Sequence, residues 1–423
     1  MAGINNREIA MDTLIEILEK GQFSHIYLKA VLDKYSYLER NERAFITRLV
    51  NGTVERMLQL DYIIDEFSKT KVRKMKPAIR TIMRMGVYEI FYMDAIPASA
   101  TCNEYVKLSK KRGFAGLSGF VNGVLRTISR EKDNLKFTDL SIKYSMPQWL
   151  VDKWTADYGI EQTEAILKGF YEPEELCIRV NLSRISRETL ADRLNEQGIS
   201  VRICDSIPSA CYISDYDSIG SISEFNEGLF YVQDYSSQLV PYKACIKISD
   251  KVLDVCAAPG GKALHTGEIA KNGHVLARDL TDAKVALIQS NIDRTGAGNV
   301  TAEKWDATIF DEKSENQYDV VIADLPCSGL GIIRKKPDIK YNQSEASLQE
   351  LESLQAQILD NASRYVKAGG TLCYSTCTIN KAENDIQVEN FLRSHSQFRM
   401  IEQEQLFPDK NHDGFYICVM KKN

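Results

Sequence analysis

Leu253-Asp254-Val255-Cys256-Ala257-Ala258-Pro259-Gly260-Gly261-Lys262 leaves an apolar strand, crosses a turn of small residues and opens a helix. Small residues there let a ligand approach the backbone closely. A dinucleotide-binding turn would read G-x-G-x-x-G, and a P-loop would read G-x-x-x-x-G-K-[ST]; this turn has neither pattern, and Ala263 follows Lys262. The ligand it suits is nucleotide-like but has no pyrophosphate or triphosphate to cradle.

Outward from this turn the chain alternates strand and helix. The strand Lys251–Cys256 precedes the turn, and the strand His274–Ala277 ends at Asp279. A helix over Ala283–Arg294 leads to a strand at Asn299–Lys304. The strand Asp319–Ala323 precedes a loop with Pro326, and a helix over Glu345–Tyr365 leads to the strand Thr371–Ser375. This rhythm predicts an α/β, Rossmann-like domain: a parallel sheet with helices on both faces, and a ligand outside the C-terminal strand ends.

Chemistry-bearing residues fall at those ends. Asp279 closes the second strand, where a carboxylate can accept both hydroxyls of a ribose, and Asp306 follows the third, within reach of an adenine amino group. Alone, each aspartate is more often a helix cap; at successive strand ends they point to an adenosyl ligand without phosphates, S-adenosylmethionine. Asp324-Leu325-Pro326-Cys327-Ser328-Gly329 follows the fourth strand and Ser375-Thr376-Cys377-Thr378 the fifth. A lone cysteine is more often a buried apolar residue than a nucleophile. Two beside a methyl donor fit methylation of a pyrimidine at C5, where a thiolate adds to C6 and makes C5 nucleophilic. Asp324 would hold the N3/N4 edge of the ring. These residues alone do not say which cysteine attacks.

Residues 4–130 read differently. Ile4, Ile9, Leu14, Ile17 and Leu18 recur at helical spacing, and so do later apolar sets, with Pro77 at a helix start and Pro97 between two patterns. Residues 131–175 read as a helical connector anchored by Trp149, Leu150 and Trp154. Leu176–Asn181, a helix over Ser186–Gln197 stopped by Gly198, and strands at Val201–Cys204 and Ala210–Ile213 form a small β-α-β-β unit, RNA-recognition-like or ferredoxin-like. The expected domains are therefore 1–130, 131–175, 176–228 and 229–423.

Charge divides along the same lines. The net charge is −5, yet residues 1–150 carry +7 and the remainder −12. Lys69–Arg84 holds Lys69, Lys71, Arg73, Lys74, Lys76, Arg80 and Arg84 without an acidic residue, and Lys107, Lys110, Lys111 and Arg112 form a second patch. Such patches fit phosphate contacts, with Arg73, Lys74 and Lys76 foremost and Lys335 and Lys336 adding to them. The longest apolar run, Phe415–Met420, is too short for a membrane span, and the first residues lack the pattern of a secretory signal. The ten cysteines include no C-x-x-C pair and the five histidines are scattered, so free thiols in the cytoplasm and no metal site are expected.

Taken together, LDVCAAPGGK, DLPCSG, KKPDIKY and YSTCTINKAEND make the chain resemble the bacterial 16S rRNA cytosine-5 methyltransferases of the RsmB (Sun/Fmu) type, within the wider NOL/NOP2/Sun family. The resemblance runs through nearly the whole chain. Asp94-Ala95-Ile96-Pro97 and Gly119–Arg126 resemble the NusB fold, Ile178–Asn181 the start of the RNA-recognition-like subdomain, and Val232-Gln233-Asp234 the entry to the catalytic domain. The resemblance implies that Cys256, Ala257, Ala258, Pro259, Gly260, Gly261 and Lys262 line the methionine end of the cofactor. It implies that Asp279 binds the ribose, Asp306 the adenine side, and that Asp324 borders both cofactor and target base. It also orders the cysteines, with Cys377 as nucleophile and Cys327 as the residue needed for product release. Ala263 departs from the family's usual Thr, and Arg278 stands where an apolar residue is usual.

The expected activity is methylation of a specific cytosine in single-stranded or unfolded 16S rRNA by a monomer. The same chemistry on transfer RNA, and a non-catalytic RNA-binding factor, are the alternatives; both cysteines and three aspartates argue against the second.

Overall fold

The computed structural model describes residues 5–173 and 175–423, so Ile4 and the first residues lie outside it. The chain forms two compact units, Met1–Lys168 with Ile333–Asn342, and Gly169–Ile332 with Gln343–Asn423.

The first unit is helical: α1 (Asn6–Lys20), α2 (Ser24–Lys34), α3 (Arg40–Glu55), α4 (Met57–Phe67), α5 (Pro77–Tyr92), α6 (Ala98–Lys111) and α7 (Ser118–Glu131), followed by shorter helices to Gly169. Pro77 begins α5, where its missing N–H costs nothing. Ile79, Ile82, Met83, Met85, Val87 and Ile90 bury α5 on almost every side, against α1, α3, α4, α6 and α7. A helix apolar all round is a core helix. Its Glu89 is fully buried and accepts from Arg7 Nε and Nη2, each at 2.8 Å, and from the hydroxyls of Thr101 and Tyr105. Gly52 of α3 lies so close that a Cβ there would fall 2.0 Å from the Tyr88 ring. Of the expected connector anchors, Leu150 and Trp154 are buried and Trp149 half-buried.

Part of the expected 229–423 domain packs into this unit. In the Ile333–Asn342 segment, buried Asp338 accepts from the backbone N–H and the hydroxyl of Ser24. Buried Lys340 donates to the Glu55 carbonyl at 2.7 Å, and burial pulls its amine down to about 7. Polar residues that bury through long-range contacts leave no periodic signal, so the contiguous boundary missed this excursion.

The second unit holds two sheets. β1 (Leu176–Val180), β2 (Ser200–Ile203), β3 (Ala210–Ser214) and β4 (Phe230–Val232) form an antiparallel sheet in the order β2-β3-β1-β4. The helix Arg187–Glu196 is capped by Ser186, whose Oγ accepts from the Thr189 N–H at 3.1 Å. β4 pairs with β1 through Ile178↔Val232, so the expected boundary at 228 cuts this sheet; three residues were too few to show alternation.

β5 (Lys251–Asp254), β6 (His274–Asp279), β7 (Val300–Lys304), β8 (Tyr318–Asp324), β9 (Val366–Thr376), β10 (Phe398–Leu406) and β11 (Phe415–Lys422) form the large sheet, ordered β10-β11-β9-β8-β5-β6-β7. The first five are parallel, as expected; β11 and β10 add an antiparallel edge that strand–helix alternation did not show. The chain reverses at β5: β8 and β9 lie on one side of it, β6 and β7 on the other. Ligands bind beyond the strand ends at such a switch point.

Candidate active site

The turn after β5 reaches Gly260 at φ +108°, a conformation that favours glycine, and the helix Gly261–Ile269 follows. The Ala258 N–H donates to Asp279 Oδ2 at 2.9 Å, tying the turn to the end of β6. Asp279 Oδ1 accepts from the Leu280 N–H at 2.8 Å and from Lys284 Nζ at 2.9 Å. Lys284 is half-exposed and is the partner a ligand hydroxyl could replace. Asp306 Oδ1 accepts from the Thr308 N–H and hydroxyl, and its Oδ2 has no hydrogen bond among the described residues. Leu280 and Ile309, each following one of these aspartates, are large apolar side chains left more than half exposed.

Asp254 lies deeper. It is 1% exposed, and its Oδ2 has no hydrogen-bond partner among the described residues. Burial, with the charge of Asp324, pushes this carboxyl up to about 7. A buried polar atom without a partner is costly. A ligand ammonium group would remove that cost. Asp254, Asp279, Asp306 and the two apolar side chains could therefore hold the ammonium, ribose and adenine of S-adenosylmethionine.

Lys262 Nζ pairs with Asp324 Oδ2 at 2.7 Å, and Ser375 donates to Asp324 Oδ1 at 2.8 Å. One carboxylate thus joins the small-residue turn to both cysteine loops. Burial works against the Lys262 charge, but Asp324 outweighs it and raises the amine's pKa. Burial, with the charges of Asp254, Asp279 and Asp324, keeps Cys256 a thiol.

Beyond β8 and β9, Cys327 Sγ and Cys377 Sγ stand 3.2 Å apart, both partly exposed. The backbone stitches their loops together: the Leu325 N–H donates to the Ser375 carbonyl at 3.1 Å and the Gly331 N–H to the Cys377 carbonyl at 3.0 Å. A Cβ on Gly331 would fall 2.0 Å from the Gly414 carbonyl oxygen, so only glycine fits there. The Cys327 thiol is held well above its ordinary range, first by its hydrogen bond to Cys377 and then by burial.

The two sequence departures find places in this geometry. Ala263 is fully buried in the core. Arg278, 4% exposed, pairs with Glu303 at 2.6 Å and Asp311 at 2.7 Å and lies against the Trp305 ring.

The basic patches separate. Lys69, Lys71, Arg73, Lys74 and Lys76 are exposed. Arg80 is paired with Glu19 and Arg84 with Asp61, so these two are not free for phosphate. In the second patch Lys107 pairs with Glu104, Lys111 with Glu8, and Arg112 with Glu8 and Asp12. The acidic partners come from elsewhere in the chain or from the next helical turn. Lys335 is exposed and Lys336 half-buried, on the segment that packs with the helical unit. The sequence reading gave no role to Asp254, Lys284, Ser375 or Glu383. Asp254, Ser375 and Glu383 lay inside motifs already singled out.

Among the described residues no group of three or more His, Cys, Asp or Glu could hold a metal, and no helix is long and apolar enough to cross a membrane.

Known proteins with the same organisation are similar over the full length. The 16S rRNA methyltransferase RsmB/F family matches residues 246–421, the NusB family residues 4–130, and the ferredoxin-like domain of RsmF/B-like methyltransferases residues 146–218. A probable ribosomal RNA small subunit methyltransferase B of Bacillus subtilis is 36% identical over 98% of each chain. The ribosomal RNA small subunit methyltransferase B of Proteus mirabilis is 31% identical over 99% of each. The crystal structure of PH0851 superposes with a TM-score of 0.84 at 26% identity over 99% of both chains. NSun6 from Pyrococcus horikoshii, solved with SFG, shares the fold over 65% of this chain and 98% of its own, with a TM-score of 0.59 at 22% identity. With a NusB-like helical domain, a ferredoxin-like sheet and a Rossmann-like sheet in one chain, and full-length relatives at this identity, the protein belongs to the RsmB family of S-adenosylmethionine-dependent rRNA methyltransferases.

Proposed function

We propose that the protein methylates C5 of a specific cytosine in 16S rRNA through a covalent bond between Cys377 and C6. The observation that carries this reading is the pair of sulfurs 3.2 Å apart on adjacent strand-end loops, beside a carboxylate anchored by Lys262. An enzyme that methylates an exocyclic amine needs neither thiol.

Bound S-adenosylmethionine supplies a methyl group on a sulfonium; the remaining steps fall to residues of this chain. The turn Cys256–Lys262 and Asp254 would hold its methionine end, Asp279 its ribose and Asp306 its adenine side. The Cys377 thiolate adds to C6 while the Cys327 thiol donates to it. The sulfur–carbon bond forms and the ring's electron pair moves towards C5 and N3, while Asp324, ionised beside Lys262, accepts from the N4 amino group and so holds that edge in place. C5, made nucleophilic in this way, would accept the methyl group as its bond to the sulfonium sulfur breaks and that sulfur leaves as a neutral thioether.

Once Cys377 is bonded to carbon, its hydrogen bond with the Cys327 thiol is weakened. That hydrogen bond is the largest cause of the raised Cys327 pKa. Cys327 releases its proton to solvent and, as a thiolate, takes the proton from C5. The electron pair of that C–H bond restores the ring double bond, and the C6–S bond breaks to return the Cys377 thiolate. The pair ends as it began, one sulfur charged and one protonated.

The target cytosine lies in single-stranded or unfolded rRNA, where leaving the stack costs least. Arg73, Lys74, Lys76, Lys335 and Lys336 contact its phosphates, and the chain acts as a monomer in the cytoplasm. Bisulfite sequencing of 16S rRNA and transfer RNA from cells with and without the gene tests the reading. One 16S cytosine losing its protection without the gene supports it. Loss confined to transfer RNA, or no loss at all, overturns it.

A further inference from the structure

Glu383 is fully buried, 0% exposed, in the turn Lys381–Glu383, and it was not among the expected site residues. Its carboxylate meets four neutral donors. Oε1 accepts from the Ser328 N–H at 2.8 Å and from Gln355 Nε2 at 3.0 Å. Oε2 accepts from the Ser328 hydroxyl at 2.5 Å and from Asn380 Nδ2 at 3.0 Å. Ser328 adjoins Cys327. Its single hydroxyl hydrogen is spent on Glu383, so across 2.8 Å the Thr378 hydroxyl must be the donor to Ser328 Oγ. Thr378 adjoins Cys377, and its Oγ1 accepts in turn from the Asn380 N–H at 3.2 Å. The Tyr374 hydroxyl donates to the Glu383 carbonyl at 2.5 Å, and Gln355 also donates to the Pro326 carbonyl at 2.9 Å.

A buried carboxylate is tolerated where donors saturate it, and here the donors come from both cysteine loops and from the helix Glu345–Tyr365. We propose that Glu383 is a positioning residue of the methyl transfer: its carboxylate clamps the Cys327 loop to the Cys377 loop and sets the register at which the two sulfurs meet. The inference rests on the covalent reading above and adds a residue to it.

The clamp acts unequally on the two cysteines. Glu383 binds Ser328 twice and directly, whereas its carboxylate reaches Thr378, beside Cys377, only at one remove, through Asn380 or Ser328. Loosening it displaces Cys327 more than Cys377, so release of the adduct suffers more than its formation. Glu383→Gln keeps the side chain's size but turns one acceptor into a donor that faces donors. A purely structural role would lower stability and every activity together; a positioning role shows as a partition between attack and release.

The test uses the full-length protein, S-adenosylmethionine and a 16S rRNA transcript. It follows kcat and KM, calorimetric affinity for S-adenosylmethionine, and covalent protein–RNA adduct on a denaturing gel. Glu383→Gln is expected to lose roughly a hundredfold in kcat, the scale of a 1 Å misplacement. Cofactor affinity should stay within about twofold of wild type, and adduct should accumulate although both cysteines are present. Wild-type kcat without adduct overturns the proposal, and so does parallel loss of cofactor binding and activity. If Glu383→Gln does not fold, Ser328→Ala and Thr378→Val each remove one hydroxyl and leave Glu383 in place. They are expected to show the same adduct more weakly, and wild-type turnover in both overturns the proposal. Cys327→Ala and Cys377→Ala alongside separate the two levels: no adduct from either while the wild type methylates would sink the covalent reading itself. Adduct from either, with none from the clamp variants, would sink only the clamp.

Discussion

Lys262 Nζ lies 2.7 Å from Asp324 Oδ2, and this ion pair joins the turn after β5 to the loop after β8. Asp254 and Asp279 add negative charge around the same pocket. Lys262→Met should therefore leave Asp324 among like charges in a partly dry site. We expect kcat to fall about a hundredfold through misplacement of Asp324, and stability to fall by about 2 kcal/mol, less than for a fully buried pair because both groups retain some solvent. Steady-state kinetics with chemical denaturation measures both. Unchanged kcat would remove the pair from the chemistry.

Asp254 should make stability depend on pH with a definite sign. Its folded pKa is pushed up to about 7 from an ordinary 3.8. Between these values the folded state binds more protons than the unfolded chain, so stability falls as pH rises and the loss is complete above about 7. Asp254→Asn cannot ionise. It is expected to match wild type at pH 3, below both pKa values, and to exceed it by a few kcal/mol at pH 8 in the absence of cofactor. Parallel pH curves for the two proteins would show that the carboxyl is not strained.

How much of this was readable follows from the range of each interaction. The helix Glu345–Tyr365 was expected at its observed bounds, because a long helical stretch is a local signal; the structure adds a Ser344 cap. The parallel strands and the strand-end positions of Asp279, Asp306, Asp324, Cys327 and Cys377 were readable for the same reason. β10 was not: from Arg399 to Gln403 every residue is exposed, as an edge strand allows, so no alternation marks it. The pairing of Arg80 with Glu19 and of Arg84 with Asp61 depends on helices meeting across the core, which no window of sequence contains. Glu383 stood inside a motif that was quoted, yet a glutamate in a polar loop reads as solvated; only the fold shows that it is buried.

Asp279→Ala should weaken S-adenosylmethionine binding. The carboxylate orders the turn through the Ala258 N–H as well as offering an oxygen to a ribose hydroxyl. Loss of a charged hydrogen bond of this kind costs about 1.5–3 kcal/mol, or roughly 10- to 150-fold in affinity. Isothermal calorimetry decides the matter: an undiminished affinity would move the ribose elsewhere.

The exposed cations Arg73, Lys74 and Lys76 should govern the salt dependence of RNA binding. Each phosphate contact on a single strand contributes about 0.7 to the slope of log affinity against log salt. Replacing all three with alanine should flatten that slope by about 2, while the same change at Arg80 and Arg84, already paired internally, should leave it almost unaltered. Filter binding at several salt concentrations gives both slopes, and an unchanged slope in the triple variant would return the patch to ordinary solvated surface.

The two thiols should fail in different ways. On the proposed mechanism Cys377→Ala removes the attacking sulfur, so neither methyl transfer nor a covalent RNA complex is expected. Cys327→Ala leaves that sulfur in place and removes the thiol 3.2 Å away, to which the proposal gives the C5 proton. Attack and methylation then proceed, but the C6–S bond has no means of breaking, and protein–RNA adduct should accumulate when cofactor and RNA are present. Methyl label should travel with that adduct, because the block falls after methyl transfer. A denaturing gel read for both RNA and methyl label separates the cases. Adduct from Cys377→Ala and none from Cys327→Ala would reverse the roles, and adduct without methyl label would place the block before transfer and take the proton-accepting role away from Cys327.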